Sequence, residues 1–246
     1  MNIFQLVKFD FYSILKSPLT YISLIVVAGL STMQTMLMSN AKTNPSHEVN
    51  YDMVFALSNW LFLFIGLLFI IKTITRDYSQ GTIQLYMSKM KSRIGYIVAK
   101  TISIVVISLL FTLLQYILMF ILQQTTKGKA LDGDKFLNNI WFYLIFFLFF
   151  GLVLLFVTLV VQQTAVIFTL GIFLLLIVPF IQPLIGLIPT IGDKINKSFK
   201  YLPFTYLTNK MTEVNIDFTN WQWFISIASI IVLFIVSVLY AAKKDI

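Results

Sequence analysis

Two long apolar runs, one beginning near Leu137 and the next near Ala165, are separated only by Gln162-Gln163-Thr164, and this sets what the chain can fold into. Each run supplies about the 20 residues that a ~30 Å hydrocarbon slab requires of a helix. A polar break of three residues leaves room only for a tight turn between them. In lipid every backbone polar group must be satisfied within its own segment, so such runs fold as helices. The composition agrees: of 246 residues, 59% are hydrophobic and 11% charged, whereas soluble domains carry about 25% charged residues. The expected fold class is an all-α membrane protein with six transmembrane helices in one domain, residues 1–246.

The other spans are expected at about Leu19 to Met38, Met53 to Ile71, Tyr96 to Leu122, and from Trp221 to Lys243-Lys244. Residues 1–17 read as an interfacial amphipathic helix, with Ile3, Phe4, Val7, Phe11, Ile14 and Leu15 on one face. Ser17-Pro18 should end it. A cleaved signal peptide is disfavoured because Lys8, Asp10 and Lys16 interrupt the first apolar run and no small-residue cleavage site follows.

Orientation is read from residues 72–100, where six basic residues (Lys72, Arg76, Lys89, Lys91, Arg93, Lys100) face one acid, Asp77. Basic segments beside spans stay cytoplasmic. Both termini are then expected in the cytoplasm of a multi-pass cell-membrane protein, with residues 39–51, 123–136 and 182–220 outside. Pro179, Pro183 and Pro189 are expected to end the fifth span near Ile181 and to give a short element that turns back into the outer leaflet. Residues 201–207 read as an interfacial piece. Trp141 and Tyr143 suit the interfacial belt. The phenylalanines that follow them face lipid, pack together or line a cargo path.

Several chemistries are excluded or weakened. Cysteine is absent and His47 is the single histidine, which removes disulfides and thiolate or histidine metal sites. The net charge of +8 is concentrated beside spans, where anionic headgroups explain it better than nucleic acid. No G-x-x-x-x-G-K-[ST] run occurs, so the chain has no phosphate cradle of its own. An intramembrane hydrolase would need a buried, partnered histidine or carboxylate. A secondary transporter or channel commonly carries ionisable groups inside the membrane, and none falls in the central portions of the expected spans. Asn59 and Gln115 are the notable polar residues within spans, suited to interhelical hydrogen bonding or to cargo contact.

Within residues 72–100, Asp77 to Thr82 reads as a turn, with Gly81 relaxing the backbone and Thr82 capping a helix from about Ile83 to Met90. Ile83, Tyr86, Met87 and Met90 fall on one face of that helix. Such a rod fits a partner's groove, or lies on lipid headgroups. Asp77 is expected to hold the turn by accepting hydrogen bonds or pairing with a cation.

Arg76-Asp77-x-x-x-Gly81-Thr82, then Leu85 to Arg93 (LYMSKMKSR) and Ala99-Lys100, resembles the signature of ABC-2-type permeases, the membrane subunits of ATP-driven exporters. Here Asp77 replaces the usual Glu, Met90 stands where Pro is common, and Ala99 stands for Gly. Within that family the chain looks most similar to the permeases of the staphylococcal phenol-soluble-modulin exporter. The resemblance implies that Asp77, Gly81, Thr82, Ile83, Tyr86, Met87 and Met90 form an ATPase-coupling helix and its approach. It also implies an ABC ATPase subunit as partner, with ATP and Mg bound there, a second permease copy or paralogue, and an extracellular re-entrant hairpin. The cargo it suggests is an amphipathic or hydrophobic peptide, with lipid-linked glycan or hydrophobic drug as alternatives.

Overall fold

A computed structural model describes residues 2–40, 48–83, 86, 90–186 and 198–243. Among the described residues the chain is helical, with no named strand and one isolated parallel bridge, Val49 to Gly128. These residues form eight helices in order: α1 Ile3–Leu15, α2 Pro18–Ser39, α3 Tyr51–Ser79, α4 Met90–Thr125, α5 Gly133–Val161, α6 Thr164–Gly186, α7 Pro203–Lys210 and α8 Asn220–Lys243. Five of these, α2, α3, α4, α5 and α8, are long and apolar enough to cross a membrane.

Local chemistry sets the ends. Asn50 and Asp132 begin α3 and α5 by accepting, through their side chains, the backbone N–H of Asp52 and Asp134. Pro18 opens α2, where its missing N–H costs nothing. Gly81, at φ +67°, turns the chain out of α3 in the left-handed conformation that glycine adopts without strain. At the other tight junction Gln162 takes φ +56°, and only Gln162 and Gln163 separate α5 from α6.

The bundle is built around α3 and α5. Helix α5 packs on α3, α4 and α8, while α3 also meets α2 and α6. Phe142, Phe146, Phe147 and Phe150 are fully enclosed, so the aromatic run packs inward, Phe146 and Phe150 with ring centroids 4.7 Å apart. Gly66 makes this possible. A Cβ there would sit 2.4 Å from the Phe147 ring, so only glycine lets α3 and α5 approach this closely. The outer helices carry the opposite pattern: Ile25 on α2 is 71% exposed and Trp221 on α8 is 67% exposed. An apolar exterior of this kind suits hydrocarbon rather than water.

The two ends of the bundle differ. At the tryptophan end the Tyr51 hydroxyl donates to the Leu122 carbonyl at 2.9 Å, Lys135 pairs with Asp52 at 2.5 Å, and Trp141 meets Trp223 at 6.0 Å. At the charged end lie the close of α3, the start of α4 and all of α1, which packs on α4.

Several expectations are corrected. Residues 72–100 are not one loop: α3 continues to Ser79 and α4 starts at Met90, because the charges on these turns find partners inside the bundle. The buried face of α1 is Leu6, Asp10 and Ile14, and Phe4 is 80% exposed. An acid occupies the inward stripe because a lysine waits opposite it. Tyr143 is fully buried rather than in the belt, drawn in by Gln115. Helix α6 passes through Pro179 and Pro183 to Gly186 instead of ending near Ile181. Each proline removes one backbone donor, and such losses are tolerated in membrane helices where neighbouring groups or local adjustments re-satisfy the freed carbonyls. Residues 203–210 do not lie on the surface either. Helix α7 packs on α6 and α8, and its Phe204 ring meets Phe149 at 4.8 Å, near the midpoint of α5. His47, and residues 187–197 of the expected re-entrant segment, lie outside the described residues.

Candidate functional site

The strongest concentration of polar chemistry is a buried cluster of two acids and two bases at the charged end. Asp10 comes from α1, Arg76 and Asp77 from the last turn of α3, and Lys100 from α4, about 15 Å along that helix from Met90. The Lys100 ammonium has no solvent exposure. It lies 3.1 Å from each carboxylate oxygen of Asp10 and 2.7 Å from Oδ2 of Asp77, and donates to the Thr73 carbonyl at 3.0 Å. Arg76 pairs with Asp10 at 2.5 Å and approaches Asp77 at 3.5 Å, its guanidinium 4.3 Å over the Phe9 ring.

Hydroxyls complete the shell: Ser103 donates to Asp10 at 2.7 Å and Tyr96 to Asp77 at 3.1 Å. The cluster is neutral in sum, and each carboxylate faces two cations. That balance is what makes burial of four charges tolerable, since a buried ion without a partner costs several kcal/mol, roughly.

The cluster braces the segment after α3. The Thr82 hydroxyl donates to the Asp77 carbonyl at 3.2 Å, so Thr82 closes α3 instead of capping a following helix. Asp77 does pair with cations, Lys100 at 2.7 Å and more distantly Arg76 at 3.5 Å. Ile83 and Tyr86 have helical backbone and are half-buried. The Tyr86 ring stacks on Tyr96 with centroids 5.7 Å apart and planes at 21°, so it turns toward its own bundle. Burial first, and the nearby Asp77 carboxylate second, raise the Tyr86 phenol above its ordinary pKa. A continuous path therefore leads from the loop through Tyr86 and Tyr96 to Asp77, Lys100, Asp10 and α1. Met87 and the rest of the expected 83–90 helix face, including the Met90 side chain, fall outside the described residues.

Asp10 and Lys100 were not singled out by sequence reasoning as partners. A signal existed: Asp10 stands four residues from both Leu6 and Ile14, which places an acid in the middle of an apolar stripe.

Asn59 and Gln115 are also fully buried, nearer the tryptophan end. Gln115 accepts from Asn139 at 3.1 Å and from the Tyr143 hydroxyl, and reaches the Ser58 hydroxyl at 3.5 Å. Asn59 donates to the Met211 carbonyl at 3.5 Å. Both therefore serve helix packing, joining α3, α4, α5 and the end of α7. The side-chain oxygens of Asn59 and Asn139 are buried without a hydrogen-bond partner among the described residues.

A family model described as Protein of unknown function (DUF2705) matches residues 39–246. The match contains α3 to α8, with Arg76, Asp77 and Lys100, while α1 with Asp10 precedes it. No curated protein matches the chain.

Proposed function

The chain belongs to the DUF2705 family, and on its buried ion cluster together with its resemblance to ABC-2-type permeases we propose that it is the membrane-spanning subunit of an ATP-driven exporter. A separate ABC ATPase binds ATP and Mg and supplies the work. Two permease chains, identical or paralogous, make the pathway with two ATPase subunits. The cargo is an amphipathic or hydrophobic peptide; lipid-linked glycan or hydrophobic drug shares the same chemistry of a molecule drawn from the bilayer.

The observation that carries this reading is the bracing of Thr82 and Tyr86, in the segment after α3, to three helices through one cluster. A partner that displaces this loop moves Tyr86 and the end of α3, and the paired charges pass the displacement to α4 and α1 together. In this reading the charged end and both termini are cytoplasmic, α6 is the fifth of six spans, and α7 belongs to an external region that turns back into the bundle. The depth reached by Phe204 supports that last assignment.

A second reading, a secondary transporter, draws on the same buried acids and lysine, because ionisable groups inside a bundle are the usual apparatus of ion coupling. Pull-down of the full chain in mild detergent, with ATPase and transport assays, separates the two. The exporter reading expects a copurifying nucleotide-binding subunit, no ATP hydrolysis by the chain alone, and protection of Ser88→Cys from an impermeant thiol reagent in intact cells. Transport driven by an ion gradient, in vesicles containing only this chain, would overturn it.

A further inference from the structure

At the tryptophan end, the early turns of α5 and α8 and the segment before α8 line an open cavity of about 250 Å³ with Asn138, Ile216, Asp217, Phe218 and Trp223. It is smaller than the ~300–1,000 Å³ typical of sites for drug-sized ligands. Its walls have one character. The Phe218 and Trp223 rings lie 5.3 Å apart at 56°, and Trp223 is held from behind by Trp141 at 6.0 Å. Asn138 donates to Oδ1 of Asp217 at 2.5 Å and orients the carboxylate, which is exposed at the cavity mouth. Aromatic faces beside an oriented carboxylate are the chemistry that recognises an organic ammonium. Phe218 already meets one such cation: the Lys210 ammonium lies 5.7 Å from its centroid, donates to the Asp217 carbonyl at 2.6 Å, and has Glu213 at 4.0 Å to offset its charge.

We propose that this cavity binds the ammonium headgroup of a zwitterionic phospholipid. Tryptophans at the starts of spans mark headgroup depth, and Trp141 and Trp221 stand exposed there. Leu137 and Phe224, also exposed, offer apolar surface for acyl chains on the flanks. A second cavity at this end, of about 220 Å³, carries Lys200 and Lys210 together with Glu213 on its lining, a net positive wall of the kind that a lipid phosphate requires. This site lies at the far end from the ion cluster and does not depend on what drives transport.

Native mass spectrometry of the full-length protein in detergent, titrated with phosphatidylethanolamine, phosphatidylglycerol and N-acetylated phosphatidylethanolamine, tests the assignment. The wild type should retain phosphatidylethanolamine about fivefold better than the two lipids that lack an ammonium, as one cation–π site with a carboxylate implies. Asp217→Asn and Trp223→Leu should each abolish that preference and leave phosphatidylglycerol retention unchanged. Equal retention of the three lipids by the wild type overturns the proposal without recourse to any variant, and so does a preference that survives both substitutions. Equal lipid retention with Asp217-dependent binding of a lysine-rich amphipathic peptide also overturns it, and assigns the cavity to peptide instead.

Discussion

The two buried polar regions solve the same problem by different means. The cluster at the charged end uses full charges, and every one of them is paired: Lys100 alone reaches four acceptors. The network around Gln115 uses neutral amides and hydroxyls, and leaves the oxygens of Asn59 and Asn139 without partners. Deep in an apolar bundle an unmet amide oxygen costs about 1–3 kcal/mol, whereas an unmet charge costs several times as much. The molecule therefore leaves amide oxygens unmet where groups are neutral, whereas in the charged cluster every charge has a counter-ion and the shortfall is confined to one guanidinium N–H, the Arg76 Nε, which has no hydrogen-bond partner among the described residues. Charges also give the sharper constraint, since each end of a pair fixes the other.

The largest effect that sharpens this contrast is expected at Lys100. Lys100→Met leaves two acids facing Arg76 alone and should destabilise the detergent-solubilised protein by about 3–5 kcal/mol, read as thermal or denaturant unfolding. Adding Asp10→Leu to it leaves a neutral Arg76 and Asp77 pair, and the double variant should be more stable than Lys100→Met by itself. A double variant no better than the single would break the claim that charge balance holds this end together. Gln115→Leu comes next: it strips the shared acceptor from Asn139 and Tyr143, and an unfolding loss of about 1–3 kcal/mol is expected. A loss as large as that for Lys100→Met would erase the distinction between the regions. Smallest is Lys135→Gln, which breaks the pair with Asp52, whose side chains are 29% and 44% exposed. Its effect should fall within about 0–1 kcal/mol and fade in high salt.

Most of the bundle was legible because hydrocarbon selects on a property that accumulates along the sequence. Twenty apolar residues in succession identify α2, α3, α4, α5 and α8 with little ambiguity. The ends of α3 and α4 were not legible, since hydropathy halts at Lys72 and resumes at Tyr96 while the helices run through Arg76, Asp77 and Lys100. Arg76 and Lys100 on those turns both pair with Asp10, 66 and 90 residues away in sequence, and no local pattern carries that pairing. Asp77 stood out on its own segment, but its partner Lys100 read as one more basic residue of a loop. Tyr143 was misplaced for a related reason. A tyrosine near a span's end suits an interface equally well until a buried acceptor such as Gln115 claims its hydroxyl.

The two-residue joint at Gln162 and Gln163 has a consequence for how this bundle can move. Two residues reach about 7 Å at full extension, so α5 and α6 cannot slide past one another at the charged end. They can only splay, like the legs of a compass, with the pivot at that end and the widest travel at the other. Any opening between these two helices must therefore grow with distance from the charged end, and a gap created by such splaying would face the tryptophans.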